Sequence, residues 1–536
     1  MNSGGWVVDE NDEAKQISRV AKTDRNHTFS KQVWYDMYTA KPSTGGQAIF
    51  IDIEHEENST CEEYSRWSEL PDLLLEKIFS YLTTKERYYA SCVCTGWHRA
   101  FYFPYVWRQF ILEDHTLTRS KFNYYLGWQY VLDHLRTSLC LQTIGKHIKI
   151  LIIKPMFNFS NLYEFMNILS WYIEQQSNPN PKDKKMIGVG GNIQYLRFTF
   201  PCDMTVEEED DENDERQNHD KMRLFGTGGK LLAGLKRLMG NLEKLQGLEL
   251  IDLMLEPCEA QFLLDEVCQT CFLLLKKLSL INTTKIPYQI LHVGVFLNLL
   301  ELRISPQNLG DELVEMLGST NLKHLHIVQN RYTTDEGFIK PISPYSWKKL
   351  RALNQSLAVH LEVESNKYKT LVWQIGAPVR SILYDSPLIG ITADGILNTI
   401  DYFKYDLRTY GHLNIPQFSI EQSFSERNDE NLVLLIRSCM SLSTLIITEE
   451  ISTCTILLIA YTGRNLRWLH IRENAVIQKC DWPRSPEWSD EFYSWLKFNS
   501  KTKELVEKEV SQMLDYKWNF LSDNDFTRLE INLHDY

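Results

Sequence analysis

The sequence lacks an uninterrupted apolar run of the length that spans a bilayer, which takes about 20 residues. Its first residues, MNSGGWVVDENDEAKQ, contain neither the basic nor the apolar segment of a secretory signal. Basic residues are also in deficit, since the formal net charge is −13, and no local basic cluster offsets that charge. We therefore expect a cytoplasmic or nuclear protein that binds neither membranes nor nucleic acid.

Cysteine motifs that would hold a metal ion are incomplete. The eleven cysteines are scattered, and CQTC (268–271), inside an apolar helical stretch, has no second pair to complete a tetrahedral zinc site. In ASCVCTGWH (90–98), Cys94 and His98 would share a helix face, but two ligands do not make a structural zinc site. We expect reduced thiols that pack as small apolar groups.

A complete phosphate-binding loop is also missing. FGTGGKLL (225–232) has Leu231 where such a loop needs a hydroxyl for Mg²⁺, and Leu224 where its first glycine should stand. A glycine-rich helix entry is the better interpretation. We therefore predict no catalytic, cofactor-binding or metal-binding residues, and only bound zinc or nucleotide in the purified protein would revive an enzymatic reading.

Helical spacing begins at Leu70. LPDLLLEKIFSYL places apolar residues three and four apart, which favours a helix. Thr83 and Glu86 have the spacing of a capping box and predict the start of a second helix. FPYVWRQF (103–110) is predicted as a third. The Leu, Ile and Trp side chains of these helices exceed what so small a module can bury, which indicates a partner surface.

Beyond residue 140 the pattern L-x-x-L-x-L recurs, sometimes with Ile, Phe or Tyr in place of Leu. Helix-like stretches separate its eleven copies, and one strand plus one helix per repeat is typical of leucine-rich repeats. We expect an α/β solenoid with parallel strands on the concave face and helices on the convex face. The central apolar positions are 151, 196, 248, 278, 300, 325, 361, 382, 413, 445 and 469.

Composition divides the chain into four parts. Residues 1–64 are polar and are predicted to form a disordered arm. The three helices of 65–112 are followed by the repeats of 113–480, with an acidic insertion around 203–220 that contains EEEDDENDE. Residues 481–536 are predicted to form a helical cap on the last repeat.

The three-helix module resembles the F-box, which docks on the adaptor Skp1 in Skp1–cullin–F-box (SCF) ubiquitin ligases. The residues that carry this resemblance are Leu70-Pro71, the LLLEKIFSYL helix, Val93-Cys94, Trp97 and Trp107. Later stretches, APVRSILYDSPL, ERNDENLVLLIRSCMSLSTLII and NLRWLHI, are similar to the subgroup of F-box only proteins 33 and 39. The resemblance implies that these residues face Skp1: Leu70, Pro71, Leu74, Ile78, Leu82, Val93, Cys94 and Trp97.

In the repeat strands the leucines point inward, and the residues between them line the opposite face of the sheet. This face carries charges of both signs, which suits a protein or peptide substrate better than a small molecule. The two histidines of His-x-His (324–326) are interpreted as surface residues, because no further metal ligand is evident. The predicted substrate-facing residues are Lys277, Ser279, Glu301, Arg303, His324, His326, Trp468, His470 and Arg472.

The resemblance implies a non-catalytic substrate receptor of an SCF ligase. The F-box would dock on Skp1 and, through it, on cullin-1 and a RING protein, while the repeats hold an unknown protein for ubiquitination and degradation. Such a receptor contributes proximity and needs no nucleophile or cofactor of its own. A scaffold that binds Skp1 without cullin is the alternative.

Overall fold

The structure is a computed structural model. The chain divides into two compact units, Met1–Leu245 and Gln246–Tyr536. The predicted arm and the acidic insertion around 203–220 lie outside the described residues, as do residues 225–228 of the glycine-rich stretch. The structure describes residues 66–536 except 125–126, 157, 177–187, 201, 203–228, 335, 417–422, 532 and 534–536.

Three short helices open the described part of the first unit: α1 (Asp72–Tyr81), α2 (Thr84–Ser91) and α3 (Thr95–Ala100). The predicted capping box is present at the start of α2. Glu86 Oε2 accepts a hydrogen bond from Thr83 N at 2.8 Å, and Thr83 Oγ1 accepts one from Glu86 N at 3.4 Å. These helices and the turns around them form the helical module (residues 67–107), whose buried core consists of Leu75, Phe79, Ala100, Phe101, Val106 and Trp107.

The division of the module into helices differs from the prediction. The run after Thr83 breaks at Ser91, and Cys94 is extended (φ −155°, ψ 171°) as the residue that precedes α3. FPYVWRQF (103–110) is not a helix: it is a series of turns that leads into the strand β1 (Gln109–Leu112). The buried Trp107 indole donates from Nε1 to Phe101 O at 2.6 Å, and parallel pairing of β1 overrides the local helical spacing.

The rest of the first unit combines a hairpin with a parallel sheet. Antiparallel pairing of β2 with β3 forms the hairpin, which the sequence reasoning missed. β1, β4 and β5 pair in parallel, in that order. In chain order the elements are β2 (Thr118–Asn123), β3 (Gly127–Leu132), α4 (His134–Ile144), β4 (Ile150–Ile153), α5 (Phe159–Glu174), β5 (Tyr195–Thr199) and α6 (Lys230–Asn241).

The second unit contains a longer parallel sheet whose strands follow chain order. Two strands of two residues each, β14 and β16, pair in parallel and form a separate small sheet. The strands are β6 (Gly247–Ile251), β7 (Lys277–Ile281), β8 (Glu301–Ile304), β9 (His324–Asn330), β10 (Ala358–Glu364), β11 (Val379–Asp385), β12 (Thr409–His412), β13 (Thr444–Ile447), β14 (Ile451–Ser452), β15 (Trp468–Ile471) and β16 (Val476–Ile477).

Helices connect most of these strands, as the repeat pattern predicts. The helices before β15 are α7 (Pro257–Ala260), α8 (Asp265–Thr270), α9 (Asp311–Leu317), α10 (Pro344–Leu353), α11 (Ala393–Phe403), α12 (Asp429–Ser438) and α13 (Thr453–Thr462). Three more follow β16: α14 (Asp490–Asn499), α15 (Lys503–Leu514) and α16 (Asp523–Phe526). None of the described helices is long and apolar enough to cross a membrane.

Each of the eleven L-x-x-L-x-L copies overlaps a strand, so the predicted α/β fold, a three-helix module followed by leucine-rich-repeat units, is confirmed. The register differs from the prediction at three copies. Leu361 of β10 pairs with Ile327 instead of Leu325, Leu300 precedes β8, and Leu413 follows β12. Leu302 replaces Leu300 in the row of Leu278 and Leu325, and Tyr410 replaces Leu413 in the row of Ile382 and Leu445. The buried row that runs through the paired strands is Leu250, Leu280, Ile304, Ile327, Leu361, Ile382, Tyr410, Leu445 and Leu469.

The residues after β15 pack on the last repeat. Residues 453–460 of α13 are buried, and α12, α14 and α15 contact this helix. Trp518 Nε1 donates to Leu469 O at 2.6 Å, and Thr453 Oγ1 donates to Ser500 O at 2.7 Å. These contacts fix α14 and α15 to the end of the sheet.

A half-buried carboxyl group, that of Glu449, makes the stability of the second unit sensitive to pH. Glu449 Oε1 accepts a hydrogen bond from Ile391 N, yet burial raises the pKa of Glu449 from 4.5 to about 7. The unfolded chain can release this proton at lower pH than the folded chain, so folding stability falls as the pH rises from about 4.5 to about 7. The loss reaches about 3 kcal/mol, since each pH unit of this window contributes about 1.4 kcal/mol.

We therefore expect Glu449→Gln to raise the melting temperature at pH 8 and to change it little at pH 5. Glutamine keeps the acceptor for Ile391 N but has no charge to bury. Thermal unfolding of both proteins at the two pH values measures this difference. An equal effect at pH 5 and pH 8 would contradict the assignment.

Candidate protein-binding surfaces

The helical module exposes a group of large apolar side chains, which we call the apolar surface. Its members lie on the 3-10 turn before α1, on α1, on α2 and just after α2. Leu75 and Phe79 of α1 point into the core, so the exposed residues belong to the other faces of the helix. The members of the apolar surface, each more than half exposed, are Trp67, Leu73, Leu74, Tyr81, Tyr89 and Val93. Folded monomers rarely expose such a group unless it binds a partner.

None of the eight predicted Skp1-facing residues is fully buried. The exposed ones are Pro71, Leu74 and Val93, and the half-buried ones are Leu70, Ile78, Leu82, Cys94 and Trp97. Trp97 Nε1 donates to Trp67 O at 3.0 Å, and its ring meets the ring of Phe79 edge-on at 5.8 Å. Trp97 therefore also holds the module together, while Leu74 and Val93 can contact a partner without such a role.

A buried arginine that sequence reasoning missed orients the helices below the apolar surface. Arg87 Nε donates to Phe79 O at 3.0 Å, and its Nη2 donates to Ser80 O at 3.2 Å, so it satisfies carbonyls at the end of α1. Its guanidinium lies 5.0 Å from the centre of the Trp107 ring. Arg87 thus joins α2 to α1 and to the turn that contains Trp107.

The second candidate surface is the side of the second unit's sheet opposite the buried row, which we call the open sheet face. Strand register places Ser279, Arg303 and His326 side by side, and Lys277, Glu301 and His324 in the next row. Ser279 and His326 are only 4% and 3% exposed, so they do not project from the sheet as predicted, although His326 lines the cavity described below. Glu362 and His360 of β10 pack against His326.

The three other predicted residues belong to β15 or follow it. Trp468 is exposed, and the half-buried His470 has its pKa lowered by burial. Arg472 does not project freely, because its Nε donates to Asp523 Oδ1 of α16 at 2.7 Å. β10 to β13 separate this group from the residues on β7 to β9.

A charged network lies in the middle of the open sheet face. Arg303 Nη2 donates to Glu362 Oε2 at 3.0 Å and to Glu364 Oε1 at 2.6 Å, and His326 Nδ1 donates to Glu362 Oε1 at 2.5 Å. Burial opposes ionisation of Glu362, but His326 and Arg303 outweigh it, so the pKa of Glu362 lies below its usual range. The alternation in LAVHLEVE (357–364) was the signal that could have revealed this strand's polar face.

The histidines of this face are stacked. His324 Nδ1 lies 3.2 Å from His360 Nε2, and His360 Nδ1 lies 2.7 Å from Ser381 Oγ. The rings of His326 and His360 are 4.4 Å apart and nearly parallel, so their nitrogens do not converge on one point. Among the described residues, no group of three or more His, Cys, Asp or Glu is arranged to hold a metal ion.

The two cysteines of CQTC lie in and just after a short helix. Cys268 lies in the short α8 and Cys271 follows its end, so the longer helix expected there is absent. Burial, with the nearby Asp265 carboxylate, raises the pKa of Cys268 to about 11. This disfavours the thiolate that metal binding or redox exchange needs.

A cavity of about 240 Å³ opens beside the charged network. The polar part of its wall comes from Glu301, Arg303, His326 and Glu362. The apolar part comes from Leu383, Leu413 and three residues near the C-terminus, Leu529, Ile531 and Leu533. The arrangement offers charges and apolar contacts to one bound side chain at the same time.

The C-terminal segment (residues 526–533) covers part of the open sheet face. Phe526 and Leu533 form a buried cluster with Leu383 of β11 and Ile446 of β13. The predicted substrate-facing residues of β7 to β9 therefore lie on one side of the C-terminal segment. Sequence reasoning missed this contact, because no local pattern connects residues more than 80 positions apart.

Comparison with known proteins identifies the helical module. Residues 67–113 match the family model described as F-box-like. Over 57 residues, the chain is 39% identical to F-box/LRR-repeat protein 21 of Bos taurus, which corresponds to 11% of this chain and 13% of that protein. A chain in the crystal structure of the Rad7 and Elc1 complex in yeast is similar with 13% identity and a TM-score of 0.30, over 79% of this chain and 93% of that chain. The family match identifies an F-box-like domain, and the parallel strands and helices described above follow it in the chain.

Proposed function

We propose that this chain is a non-catalytic substrate receptor of an SCF ubiquitin ligase. The observation that carries the proposal is the apolar surface within the F-box-like match at 67–113. Leu74 and Val93 are exposed there although the module has a filled core of its own. Residues of this type gain free energy only by burial against a partner.

We assign the adaptor contact to the eight residues that the family resemblance implies, from Leu70 to Trp97. Pro71, Leu74 and Val93 supply direct contact area, because they are exposed. Leu73 and Tyr81 extend the same surface at 80% and 75% exposure. Through Skp1 the chain would join cullin-1 and a RING protein.

We place the substrate on the open sheet face, beside the C-terminal segment. Lys277, Glu301, Arg303 and His324 border the cavity or lie next to the residues that line it. Polar groups on one side of the cavity and aliphatic groups on the other fit an amphipathic side chain of a protein. Chemistry is not required, since the receptor acts by holding substrate lysines near a ubiquitin-charged enzyme.

Two more specific assignments, the subgroup of F-box proteins and the cellular location, come from the resemblance. We propose that the chain is related to F-box only proteins 33 and 39 and that it acts in the cytoplasm or the nucleus. The stretch ERNDENLVLLIRSC, which supports that relationship, includes α12 and the buried ion pair at its start.

Reconstitution tests the function directly. We expect the purified chain to form a stoichiometric complex with Skp1, and this complex to bind cullin-1 and its RING partner on size-exclusion chromatography. Failure to bind Skp1 would overturn the proposal. A complex with Skp1 that excludes cullin-1 would replace it by the scaffold alternative.

A further inference from the structure

The hairpin of β2 and β3 has two outer backbone edges. Helix α5 contacts the edge on β3, and most of the edge on β2 is open. Asp133 N donates to Leu117 O at 2.9 Å, so these two residues form a hydrogen-bonded pair. Such pairs alternate along an antiparallel ladder. The backbone groups of Ser120 and Phe122 therefore point away from β3.

The outer edge of β3 is occupied by α5. Asn161 Oδ1 accepts from Leu132 N at 2.9 Å, and Asn161 Nδ2 donates to Tyr130 O at 2.9 Å. On β2, Arg136 Nη1 donates to Thr118 O at 3.1 Å, which closes only one end of that edge. Within the described part of the chain, the backbone N–H and C=O of Ser120 and Phe122 have no hydrogen-bond partner.

Side chains on the two faces of this edge differ in character. Phe122 and Trp128 are direct cross-strand partners, 56% and 68% exposed, with ring centroids 5.4 Å apart. Arg119 and Lys121 are exposed on the opposite face. In a chain with a net charge of −13, residues 116–132 contain no acidic residue.

We propose that β2 is a docking edge for an extended, acidic segment of a partner protein, which adds to the hairpin as a third strand. Its backbone would pair with Ser120 and Phe122, its carboxylates would lie on the side of Arg119 and Lys121, and its apolar side chains would cover Phe122 and Trp128. Strand addition of this kind uses an exposed edge for affinity and alternate side chains for selectivity. The proposal does not depend on adaptor binding by the module.

The unprotected state of the edge supports this assignment. Charged residues alone would be a common way to protect an edge strand from pairing. Here the face opposite Arg119 and Lys121 carries the exposed aromatic pair of Phe122 and Trp128. Protection by charge does not require this pair, and water solvates it poorly. A two-stranded hairpin is also marginally stable in isolation, and a third strand would complete it.

Binding of a defined peptide to the full chain tests the docking edge. The probe is a fluorescein-labelled peptide that alternates glutamate and valine over seven residues, followed by fluorescence polarisation. We expect saturable binding, at least tenfold weaker binding of the same peptide with its central valine replaced by proline, and at least tenfold weaker binding of a lysine–valine peptide. Absence of binding by the glutamate–valine peptide, or equal binding of all three, would overturn the proposal.

Two sets of variants separate backbone pairing from charge. Ser120→Pro removes an N–H that points away from β3, so the hairpin keeps its own ladder while a third strand loses its donor. We expect at least tenfold weaker binding for Ser120→Pro and no change for Ser120→Thr, with equal melting temperatures. Arg119→Glu with Lys121→Glu should reverse the preference toward the lysine–valine peptide.

Single-stranded oligothymidine is the competing ligand, because exposed aromatic and basic side chains also bind single-stranded nucleic acid. Binding of oligothymidine in place of the peptide would overturn the proposal. So would Ser120→Pro binding the glutamate–valine peptide as tightly as the unmodified chain, since the contact would then not involve the strand edge.

Discussion

Leu74→Glu combined with Val93→Glu should abolish binding to Skp1 and leave the folded module intact. The two side chains are 52% and 67% exposed, so neither contributes much to the core. Burying an apolar side chain of this size at an interface contributes about 1.5–3 kcal/mol. Loss of both contacts, with two carboxylates left in an apolar interface, should weaken binding by at least about 100-fold, because about 1.4 kcal/mol corresponds to a factor of ten.

Titration calorimetry with purified Skp1 measures this effect, and thermal unfolding checks the fold. Leu397→Glu with Leu434→Glu is the matched control, since these leucines lie on helices of the second unit and are 43% and 41% exposed. The control should bind Skp1 as the unmodified chain does. If the Leu74/Val93 variant also binds normally, the apolar surface is not the adaptor site.

Trp97 illustrates why the sequence alone could not separate the two roles of these residues. Its place in the motif indicated an interface anchor, but its indole also donates to Trp67 O and contacts Phe79. Replacement of Trp97 would therefore change stability and binding together. Leu74 and Val93 are the better test positions because their side chains are exposed, which the sequence does not show.

Local patterns predicted the elements of the module that depend on local contacts. The capping box at Thr83 and Glu86 is formed by two residues three positions apart, and it is present as expected. The helix predicted from Phe103 to Phe110 is absent. The conformation of this stretch depends on the pairing of β1 with β4, which lies about 40 residues further along the chain. Arg87 was missed for the same reason, since its carbonyl partners belong to the preceding helix.

The repeat strands were predicted well because each strand carries its own alternation of apolar and polar residues. The substrate-facing side was predicted less well, since exposure depends on neighbouring strands. His326 is buried beside Glu362 and His360, which belong to the strand whose repeat motif is weakest. Coverage of Leu383 and Ile446 by the C-terminal segment has no local signature at all.

Arg427→Met should destabilise the second unit by about 3–5 kcal/mol, the usual cost of breaking a buried ion pair. Arg427 Nη2 donates to Asp429 Oδ2 at 3.0 Å and to Asp481 Oδ2 at 2.5 Å, and the three side chains are 2%, 1% and 9% exposed. Burial works against the charged guanidinium, but the two carboxylates outweigh it and raise the pKa of Arg427. Methionine would leave both carboxylates in the interior without a cation.

Urea unfolding at pH 7 measures the change, and two further variants show its origin. Arg351→Met removes an arginine–aspartate pair of the same unit that is 43% and 28% exposed, and it should cost less than about 1 kcal/mol. Arg427→Lys keeps the charge but loses the two-pronged geometry, so an intermediate loss is expected. Equal losses for Arg427→Met and Arg351→Met would mean that burial of the pair adds nothing.

The consequences of Arg427→Met should extend beyond its own contacts. Asp429 Oδ2 also accepts hydrogen bonds from Ser452 Oγ and Thr455 Oγ1 at the start of α13. Asp481 lies in the segment that leads to α14. Helix α13 packs against α15, which precedes the C-terminal segment on the open sheet face. Backbone amide hydrogen exchange should therefore be faster in α13 and α15 of the Arg427→Met variant. An increase confined to α12 would show that the ion pair does not connect the last repeat to the residues that border the proposed substrate site.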